Sequence, residues 1–267
     1  MAIIPVKIGQ LEYLTAEGIS APHCFTTRLG GVSTGHLASM NIGTHRGDAP
    51  ENVEENYRIL GSALGFTPAD LVLTQQTHSD IVRTVTRDDA GKGLNHNAYP
   101  VCDALITNEP GVGLAVFTAD CTPILLQDRV TGAVGAIHAG WRGTAMGIAA
   151  KAVEAMVHAF GCRAENIHAA IGPNIAQCCF QTDADVPDAM LSALGEAARA
   201  HIRAKENKFY VNLKEINALW LKHAGVTHIE ISPLCTACRQ DLFWSHRRVG
   251  LQRGSQGAII ICKEVGQ

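Results

Sequence analysis

The stretch DCTPILLQDRVTGAVGAIHAGWRG, residues 120–143, holds two apolar runs with a polar, glycine-containing segment between them. The runs cover 123–127 and 133–139, and a turn at about 128–132 folds them into a predicted β-hairpin. Opposed residues then have numbers that sum to about 260, which places Cys121 and His138 nearly opposite each other. Directly opposed residues have Cβ atoms about 4.5–5.5 Å apart. A thiol and an imidazole at that separation can share a metal ion or act as nucleophile and base.

Short apolar runs on both sides of this hairpin predict further strands, and longer amphipathic or alanine-rich stretches predict helices. The additional strands are expected at 71–73, 81–85, 112–117, 167–172, 228–232 and 257–262. The helices are expected at 51–64, 143–160, about 184–204 and about 213–224. Strands often follow one another directly, without a regular βαβ alternation. The pattern therefore predicts an α+β fold, with antiparallel or mixed sheets covered by helices in a single domain that spans residues 1–267.

Composition excludes several classes of function. The net charge of −3 shows no basic bias, so bulk charge gives no indication of nucleic acid or an anionic membrane as a partner. No uninterrupted apolar run reaches the roughly 18 residues of a membrane-spanning helix, and the N-terminal residues do not form a signal peptide. The nine cysteines are scattered and odd in number, which favours free thiols in a reducing cytoplasm.

A pair of ligands does not make a zinc site, and His78 in LTQQTHSDIV (73–82) is the best candidate for a third. Two imidazoles and one thiolate leave one tetrahedral position of zinc open, which is the pattern of catalytic sites. The alternative is a structural histidine and a buried, inert thiol. Spacing alone leaves both interpretations open for Cys121 and His138, and it supports His78 less strongly.

Three other polar motifs suit a substrate site, although each also fits an ordinary turn. Arg28 precedes a Gly-Gly turn in TTRLGGVS (26–33), where a guanidinium and free backbone N–H groups can hold an oxyanion. Asn41 and His45 lie in SMNIGTHRGD (39–48), a glycine-containing polar loop whose side chains can hydrogen-bond a substrate. Arg247 follows aromatic residues in FWSHRR (243–248), and Arg142 adds charge where the hairpin leads into a helix.

The CTAC motif, Cys235 to Cys238, could form a redox pair or half of a zinc site. The sequence has no second CxxC, and no thioredoxin-like βαβ pattern surrounds this one. The adjacent Cys178 and Cys179 do not supply a CxxC half-site. We therefore interpret these cysteines as structural thiols.

Seven motifs together resemble the YfiH family, once called laccase-domain or multicopper polyphenol oxidases. The resemblance runs from about residue 12 to 263 and rests on these motifs: TTRLGGVS, SMNIGTHRGD, THSDIV, ADCTPILL, AIHAGWRGT, IGPNIAQCCF and SHRR. It implies a zinc-dependent purine nucleoside phosphorylase with adenosine deaminase activity. The implied substrates are phosphate and a nucleoside, namely adenosine or inosine, with guanosine and methylthioadenosine as further candidates.

The resemblance also implies residues and a fold. His78, Cys121 and His138 match the family's metal ligands, so the family supplies the third ligand that spacing only suggested. Phosphate is expected at Arg28 and Arg247, and the fold is expected to be a layered β-sandwich related to the catalytic domain of cytotoxic necrotizing factor toxins. The implied protein is a cytoplasmic monomer or homodimer. Gln181 departs from the family, since many relatives carry an acidic residue there.

Alternative functions remain at this point. Cys121 and His138 could be the nucleophile and base of a hydrolase or amidase, or of an enzyme that edits cell-wall precursors. The site could also bind copper in vitro, because Cu²⁺ outranks Zn²⁺ in raw affinity. However, the twelve histidines include no His-x-His pair of the kind that feeds multicopper clusters. A non-catalytic protein stabilised by zinc is the remaining possibility.

Overall fold

A computed structural model describes residues 2–94 and 101–264, and we number its strands and α-helices in chain order. The strands are β1 (Ile3–Ile8), β2 (Leu11–Ala16), β3 (His23–Thr26), β4 (Leu71–Leu73), β5 (Val82–Thr84), β6 (Ala104–Thr107), β7 (Gly113–Thr118), β8 (Thr122–Asp128), β9 (Val134–Ala139), β10 (Ile167–Ile171), β11 (Gln181–Thr182), β12 (Ile202–Lys205), β13 (Lys208–Val211), β14 (His228–Ile231) and β15 (Gln256–Ile261). The helices are α1 (Pro50–Leu64), α2 (Trp141–Ala145), α3 (Ile148–Phe160), α4 (Asp185–Leu194), α5 (Glu196–Arg199), α6 (Leu213–His223) and α7 (His246–Val249).

Two six-stranded mixed sheets form the centre of the fold. The first sheet has the order β1-β2-β3-β15-β7-β4, and the second has the order β14-β10-β8-β9-β6-β5. The pairs β4/β7, β5/β6 and β10/β14 are parallel, and the other neighbours are antiparallel. A small third sheet, β11-β13-β12, lies outside this sandwich.

Apolar side chains define four layers. Phe25 and Val116 of the first sheet share one buried cluster with Leu125 of the second, so the inner faces of the two sheets pack together. On the outer face of the first sheet, Tyr57 of α1 is fully buried, and α3 and α6 cover the outer face of the second sheet. The order helix, sheet, sheet, helix confirms the predicted α+β sandwich covered by helices. No helix in the described ranges is both long and apolar enough to span a bilayer.

The predicted hairpin is formed by β8 and β9, with a register slightly different from the expected one. Pro123 pairs with His138, and Thr122 pairs with Ala139, so opposed numbers sum to 261. Cys121 therefore precedes β8 and does not pair with His138. Asp128 closes the turn, because its Oδ1 accepts hydrogen bonds from the N–H groups of Val130 at 2.8 Å and Thr131 at 3.0 Å.

Two helix predictions need correction. The stretch 143–160 is divided into α2 and α3 at Gly147, which adopts φ 75° and faces the ring of Trp220. The stretch 184–204 is also divided, and helical structure ends at Arg199. The residues that follow form β12, which pairs with β13 through a two-residue turn at Glu206 and Asn207, with φ 49° and 58°. The strands β1, β2, β3, β6, β11, β12 and β13 were not predicted.

Candidate metal centre

The side chains of His78, Cys121 and His138 meet at one end of the sandwich. The sulfur of Cys121 lies 3.8 Å from Nε2 of His78, and the two imidazole rings are 5.0 Å apart at 80°. The three donor atoms all lie within 4.8 Å of one another. His138 is buried, Cys121 is half-buried and His78 is exposed, so the cluster is open to solvent on the His78 side.

The chain passes between the two sheets at this point, which explains why the three residues meet. His78 lies in the loop from β4 of the first sheet to β5 of the second. Cys121 lies between β7 of the first sheet and β8 of the second, and His138 is on β9. The apolar strands on both sides thus fix the positions of the three donors.

Asp103 organises this cluster, and the sequence analysis did not identify it. Its buried carboxylate lies 2.7 Å from Nδ1 of His138 and accepts hydrogen bonds from the main-chain N–H of His78 at 3.1 Å and of Ser79 at 2.7 Å. The first contact fixes the His138 ring with Nε2 free for a metal. The other two hold the loop in which His78 has the uncommon φ of 62°. The only sequence signal is an acidic residue inside the apolar segment VCDALIT.

Charges inside the cluster shift three pKa values. Burial alone would raise the pKa of Asp103, but hydrogen bonds from His138 and Ser79 outweigh it and lower this pKa to about 2. Burial would also raise the pKa of Cys121, yet the charge of His138 and hydrogen bonds with both histidines lower it to about 6. Burial lowers the pKa of His138, whereas the Cys121 thiolate and Asp103 raise it to about 9. The cluster therefore favours a thiolate, the form of cysteine that binds metals.

The donor set fits a metal ion of the zinc class. One thiolate and two imidazoles are usual zinc ligands, and three protein ligands leave one position for substrate. Gly140 packs directly against the cluster, because a Cβ atom there would lie 2.5 Å from Cδ2 of His78 and 3.5 Å from the sulfur of Cys121. Because the backbone at Gly140 passes so close, no side chain from this position separates the donor atoms of His78, Cys121 and His138.

Two cavities open beside the cluster and share His78, Ala119, Cys121 and Arg253 in their walls. We call the first, of about 270 Å³, the polar lobe. It is also lined by these residues: Gly43, Thr44, His45, Arg46, Leu73, Thr74, Gln75, Gln76, Gly93, Phe117, Thr118, His138 and Ser255. We call the second, of about 290 Å³, the apolar lobe. It is also lined by these residues: Asp120, Trp141, Ile175, Phe180, Leu213, His246 and Arg247.

Two arginines of the polar lobe lack carboxylate partners. Arg46 donates from Nε to the hydroxyl of Ser255 at 3.2 Å, and Arg253 donates from Nη1 to the carbonyl of Gly254 at 3.0 Å. Arg253 is only 9% exposed, and its Nε is buried without a hydrogen-bond partner. In the part of the chain that the structure describes, no carboxylate lies within ion-pair distance of either guanidinium. Burial and the charge of Arg46 lower the pKa of Arg253 to about 10.

Three of the residues that the sequence analysis singled out lie outside both lobes. Arg28 donates to the carbonyls of Gln240 and Ala38 at 3.1 and 3.0 Å, and it stacks on the Trp244 ring at 3.8 Å. Asn41 is fully buried, and its amide holds the loop that carries Arg46. Arg142 is exposed and stacks on the ring of Trp141. These arrangements give Arg28 and Asn41 structural partners within the chain.

The other predicted substrate residues line the lobes. His45 is exposed at the polar lobe. Arg247 lines the apolar lobe, but its guanidinium already donates to the carbonyls of Cys179 and Gln181, both at 3.0 Å. The carboxylate of Asp120 is also engaged, because it accepts hydrogen bonds from the Thr236 hydroxyl at 2.6 Å and the Arg247 N–H at 2.7 Å. Asp120 thus holds the wall of the apolar lobe together and is not placed to donate a proton.

Comparisons with known proteins agree with this architecture. A family model described as multi-copper polyphenol oxidoreductase laccase matches residues 22–263. A protein of Deinococcus radiodurans named purine nucleoside phosphorylase is 39% identical over 251 residues, which cover 94% of this chain and 92% of that protein. Purine nucleoside phosphorylase YfiH of Shigella flexneri is 35% identical over 233 residues, or 87% and 89% of the two chains. The crystal structure of YlmD from Geobacillus stearothermophilus has a TM-score of 0.92 at 37% identity and covers 98% of this chain and 100% of that one.

Proposed function

This chain belongs to the YfiH family, whose model is described as multi-copper polyphenol oxidoreductase laccase, and we propose that it is a zinc-dependent purine nucleoside phosphorylase. Adenosine and inosine are the proposed nucleosides, and deamination of adenosine is the proposed second activity. The names of its relatives support phosphorylase activity. The observation that carries the proposal is the pair of unpaired arginines, Arg46 and Arg253, beside the metal cluster.

Phosphate is assigned to the polar lobe. A buried guanidinium that lacks a carboxylate is costly unless an anion binds to it, and two adjacent guanidiniums match the charge of phosphate. Ser255 reinforces this assignment, because its hydroxyl lies 3.2 Å from Nε of Arg46 and 3.5 Å from Nη1 of Arg253. We therefore replace Arg28 with Arg46 and Arg253 as the proposed phosphate ligands.

The purine is assigned to the apolar lobe, where Trp141, Phe180 and Leu213 provide apolar and aromatic surface. The ribose then lies at the wall that the lobes share, next to His78 and Cys121. In this arrangement, a phosphate oxygen in the polar lobe faces C1′ from the side opposite the base. The two lobes thus favour attack in line with the bond that breaks.

The reaction forms a bond between a phosphate oxygen and C1′ while the bond from C1′ to purine N9 breaks. The electron pair of the broken bond goes to the purine, which takes up a proton. His246 lines the apolar lobe, and its Nδ1 lies 3.1 Å from the carbonyl of Gly250, which leaves Nε2 for the base. We assign that proton to His246. A zinc ion at His78, Cys121 and His138 would supply Lewis acidity and make water easier to ionise.

Product analysis tests the proposal directly. With phosphate, inosine is expected to yield hypoxanthine and ribose 1-phosphate. Adenosine is expected to yield adenine and ribose 1-phosphate by phosphorolysis, inosine and ammonia by deamination, and hypoxanthine from that inosine. Without phosphate, adenosine is expected to yield inosine only. Failure to form ribose 1-phosphate from any of adenosine, inosine or guanosine would contradict the proposal.

Arg46→Gln tests the phosphate subsite. A lost charge-assisted hydrogen bond is worth about 1.5–3 kcal/mol, so the KM for phosphate is expected to rise about 10- to 100-fold. Deamination of adenosine uses no phosphate and should keep its rate. Arg83→Gln is the matched control, because Arg83 is exposed on β5. Equal loss of both reactions in Arg46→Gln would assign this arginine to nucleoside binding or to the fold.

A cysteine hydrolase is the second candidate, favoured by one observation. The sulfur of Cys121 lies within 4.8 Å of a ring nitrogen of His138, and Nδ1 of His138 lies 2.7 Å from Asp103, which is the order of nucleophile, base and orienting carboxylate. Iodoacetamide separates the two functions. A metal-bound thiolate is protected from alkylation until a chelator removes the metal, whereas a free nucleophile reacts equally with or without chelator.

Copper-dependent oxidation of phenols is supported less well than either candidate. Among the described residues, the only cluster of metal-ligand type that contains histidine has two imidazoles and one thiolate. Multicopper clusters draw on more imidazoles than this. Copper that enters the cluster in vitro would follow from its higher raw affinity and is not evidence of the enzyme's natural reaction.

A further inference from the structure

Four cysteines form a second cluster, next to the segment that contributes Ile175 and Phe180 to the apolar lobe. They come from two segments that run side by side, where Asn174 and Cys235 form a parallel bridge and Thr236 N–H donates to the Asn174 carbonyl at 2.9 Å. The first segment contributes Cys178 and Cys179, and the second contributes both cysteines of the CTAC motif. The sequence predicts structural thiols here but does not bring the two pairs together, because the contact joins residues about 60 positions apart.

The distances between the sulfurs match those of a tetrahedral metal–thiolate site. Cys179 and Cys238 have sulfurs 3.4 Å apart, and Cys178 lies 3.7 Å from each of them. All four sulfurs lie within 4.8 Å of one another. A zinc ion with bonds of about 2.3 Å to four sulfurs holds those sulfurs about 3.8 Å apart. A disulfide requires about 2.05 Å, so the observed distances exclude disulfides in this structure and fit four ligands around a common centre.

The surroundings suit a negatively charged metal–thiolate centre. The main-chain N–H of Ala176 donates to the sulfur of Cys235 at 3.3 Å, and Nη2 of Arg248 lies 3.7 Å from the sulfur of Cys179. Arg248 is fixed there, because its Nε donates to the carbonyl of Ala237 at 2.7 Å. Four thiolates around a divalent ion carry a net charge of −2, which a nearby guanidinium and N–H donors stabilise.

We propose that Cys178, Cys179, Cys235 and Cys238 bind a second metal ion, of the thiophilic divalent class that zinc represents. Four protein ligands leave no position for substrate, so the site is structural. The metal would join two segments of the chain. One segment carries Ile175 and Phe180, and the other leads to Arg247; these three residues line the apolar lobe. The metal site stands apart from the proposed function. Only the idea that this metal supports a nucleoside-binding wall of the apolar lobe rests on the proposed function.

Metal analysis of the full chain, purified with zinc under reducing conditions, tests the proposal. Native mass spectrometry is expected to find two zinc ions per chain in the wild-type protein. It is expected to find one in His78→Ala and one in the double variant Cys178→Ser, Cys238→Ser. Cys162→Ser is the matched control, since this buried thiol belongs to neither cluster, and it should retain two. The proposal is overturned if wild-type protein holds one ion that the double variant keeps and His78→Ala loses.

Cobalt substitution gives a readout on wild-type protein, which does not depend on whether the variants fold. The intensity of sulfur-to-cobalt charge transfer follows the number of thiolates bound to cobalt. The two clusters together contain five cysteines, whereas the His78 cluster alone contains one, Cys121. Saturation with Co²⁺ is expected to give about five times the intensity of a one-thiolate site. An intensity of one thiolate, with two disulfides found by mass after purification, would show that the four cysteines are redox partners and not ligands.

Discussion

Asp103 links two of the three proposed ligands through one buried carboxylate. It orients His138 by a contact of 2.7 Å and fixes the backbone on which His78 is carried. The orientation of a metal-binding imidazole is usually set by such a partner, and the partner affects affinity nearly as much as a ligand does. The geometry of the cluster therefore depends on a residue that itself binds no metal.

Asp103→Asn is expected to weaken zinc binding about 10- to 100-fold. The amide keeps the size of the side chain but removes the charge that holds His138 with its Nδ1 protonated. Competition against a chelator of known zinc affinity measures the change. Asp80→Asn is the matched control, because Asp80 lies two residues from His78 and pairs with Lys151 instead. Equal zinc affinity in the two variants would remove Asp103 from this role.

The low pKa of Cys121 gives a pH dependence that can be measured in metal-free protein. The thiolate is the reactive form, so alkylation is slow below the pKa and reaches a plateau above it. We expect the rate at Cys121, read from its peptide by mass spectrometry, to rise with a midpoint at pH about 6. The alkylation rate of an unperturbed thiol has its midpoint at pH about 8.5. That midpoint at Cys121 would contradict the stabilisation of its thiolate by His138.

Elements, and not only side chains, create the space for the cluster. β9 ends at Ala139, and Gly140 leads into α2 while its backbone passes directly beside His78. Gly140 has φ −69°, a value that any residue adopts. The glycine is therefore required by contact and not by backbone conformation.

Gly140→Ala is expected to weaken zinc binding about tenfold or more, because the added Cβ would lie 2.5 Å from Cδ2 of His78 and displace the ring. Gly135→Ala, on the preceding strand β9, is the matched control, because the new Cβ there would meet its nearest neighbour at 3.4 Å. Metal titration of both variants, with circular dichroism as a check of folding, measures the difference. Unchanged zinc affinity in Gly140→Ala would show that the loop of His78 moves to accept the methyl group and still binds zinc, which would contradict the prediction.

The sequence predicted local elements better than contacts between them. The hairpin of β8 and β9 was predicted because its two apolar runs and its turn are adjacent in the chain. The break at Gly147 was not predicted, since it depends on Trp220, whose Nε1 donates to the carbonyl of Thr144 at 2.7 Å. The family resemblance supplied His78 as a ligand. Asp103 and the four-cysteine cluster escaped prediction because each acts through residues far away in sequence.

At the scale of the whole molecule, the metal cluster joins the two sheets. Its proposed ligands lie on two crossings from the first sheet to the second and on β9 of the second sheet. A metal that binds only this folded arrangement stabilises it against unfolding by mass action. If the proposed metal binds there, we expect the stability of the entire sandwich to depend on its occupancy.

Removal of zinc is expected to lower the melting temperature. A ligand at 100 to 1,000 times its Kd contributes about 2.7–4.1 kcal/mol, which corresponds to a shift on the order of 5–15 °C for a chain of this size. Differential scanning calorimetry with and without chelator measures it. His78→Ala is the control. Its melting temperature should fall less when chelator is added, because it has already lost the metal of this cluster. An equal response in both proteins would contradict the stabilising role.

The position of β15 has a consequence for synthesis on the ribosome. This strand is the last of the described strands to be made, yet it lies between β3 and β7 in the first sheet. A nascent chain that ends before residue 256 thus holds this sheet as two separate pieces with open edges, which other strands can pair with. Arg253 and Ser255 arrive with the same segment. The polar lobe is therefore completed only when translation reaches β15, at the same stage at which the two pieces of the sheet are joined.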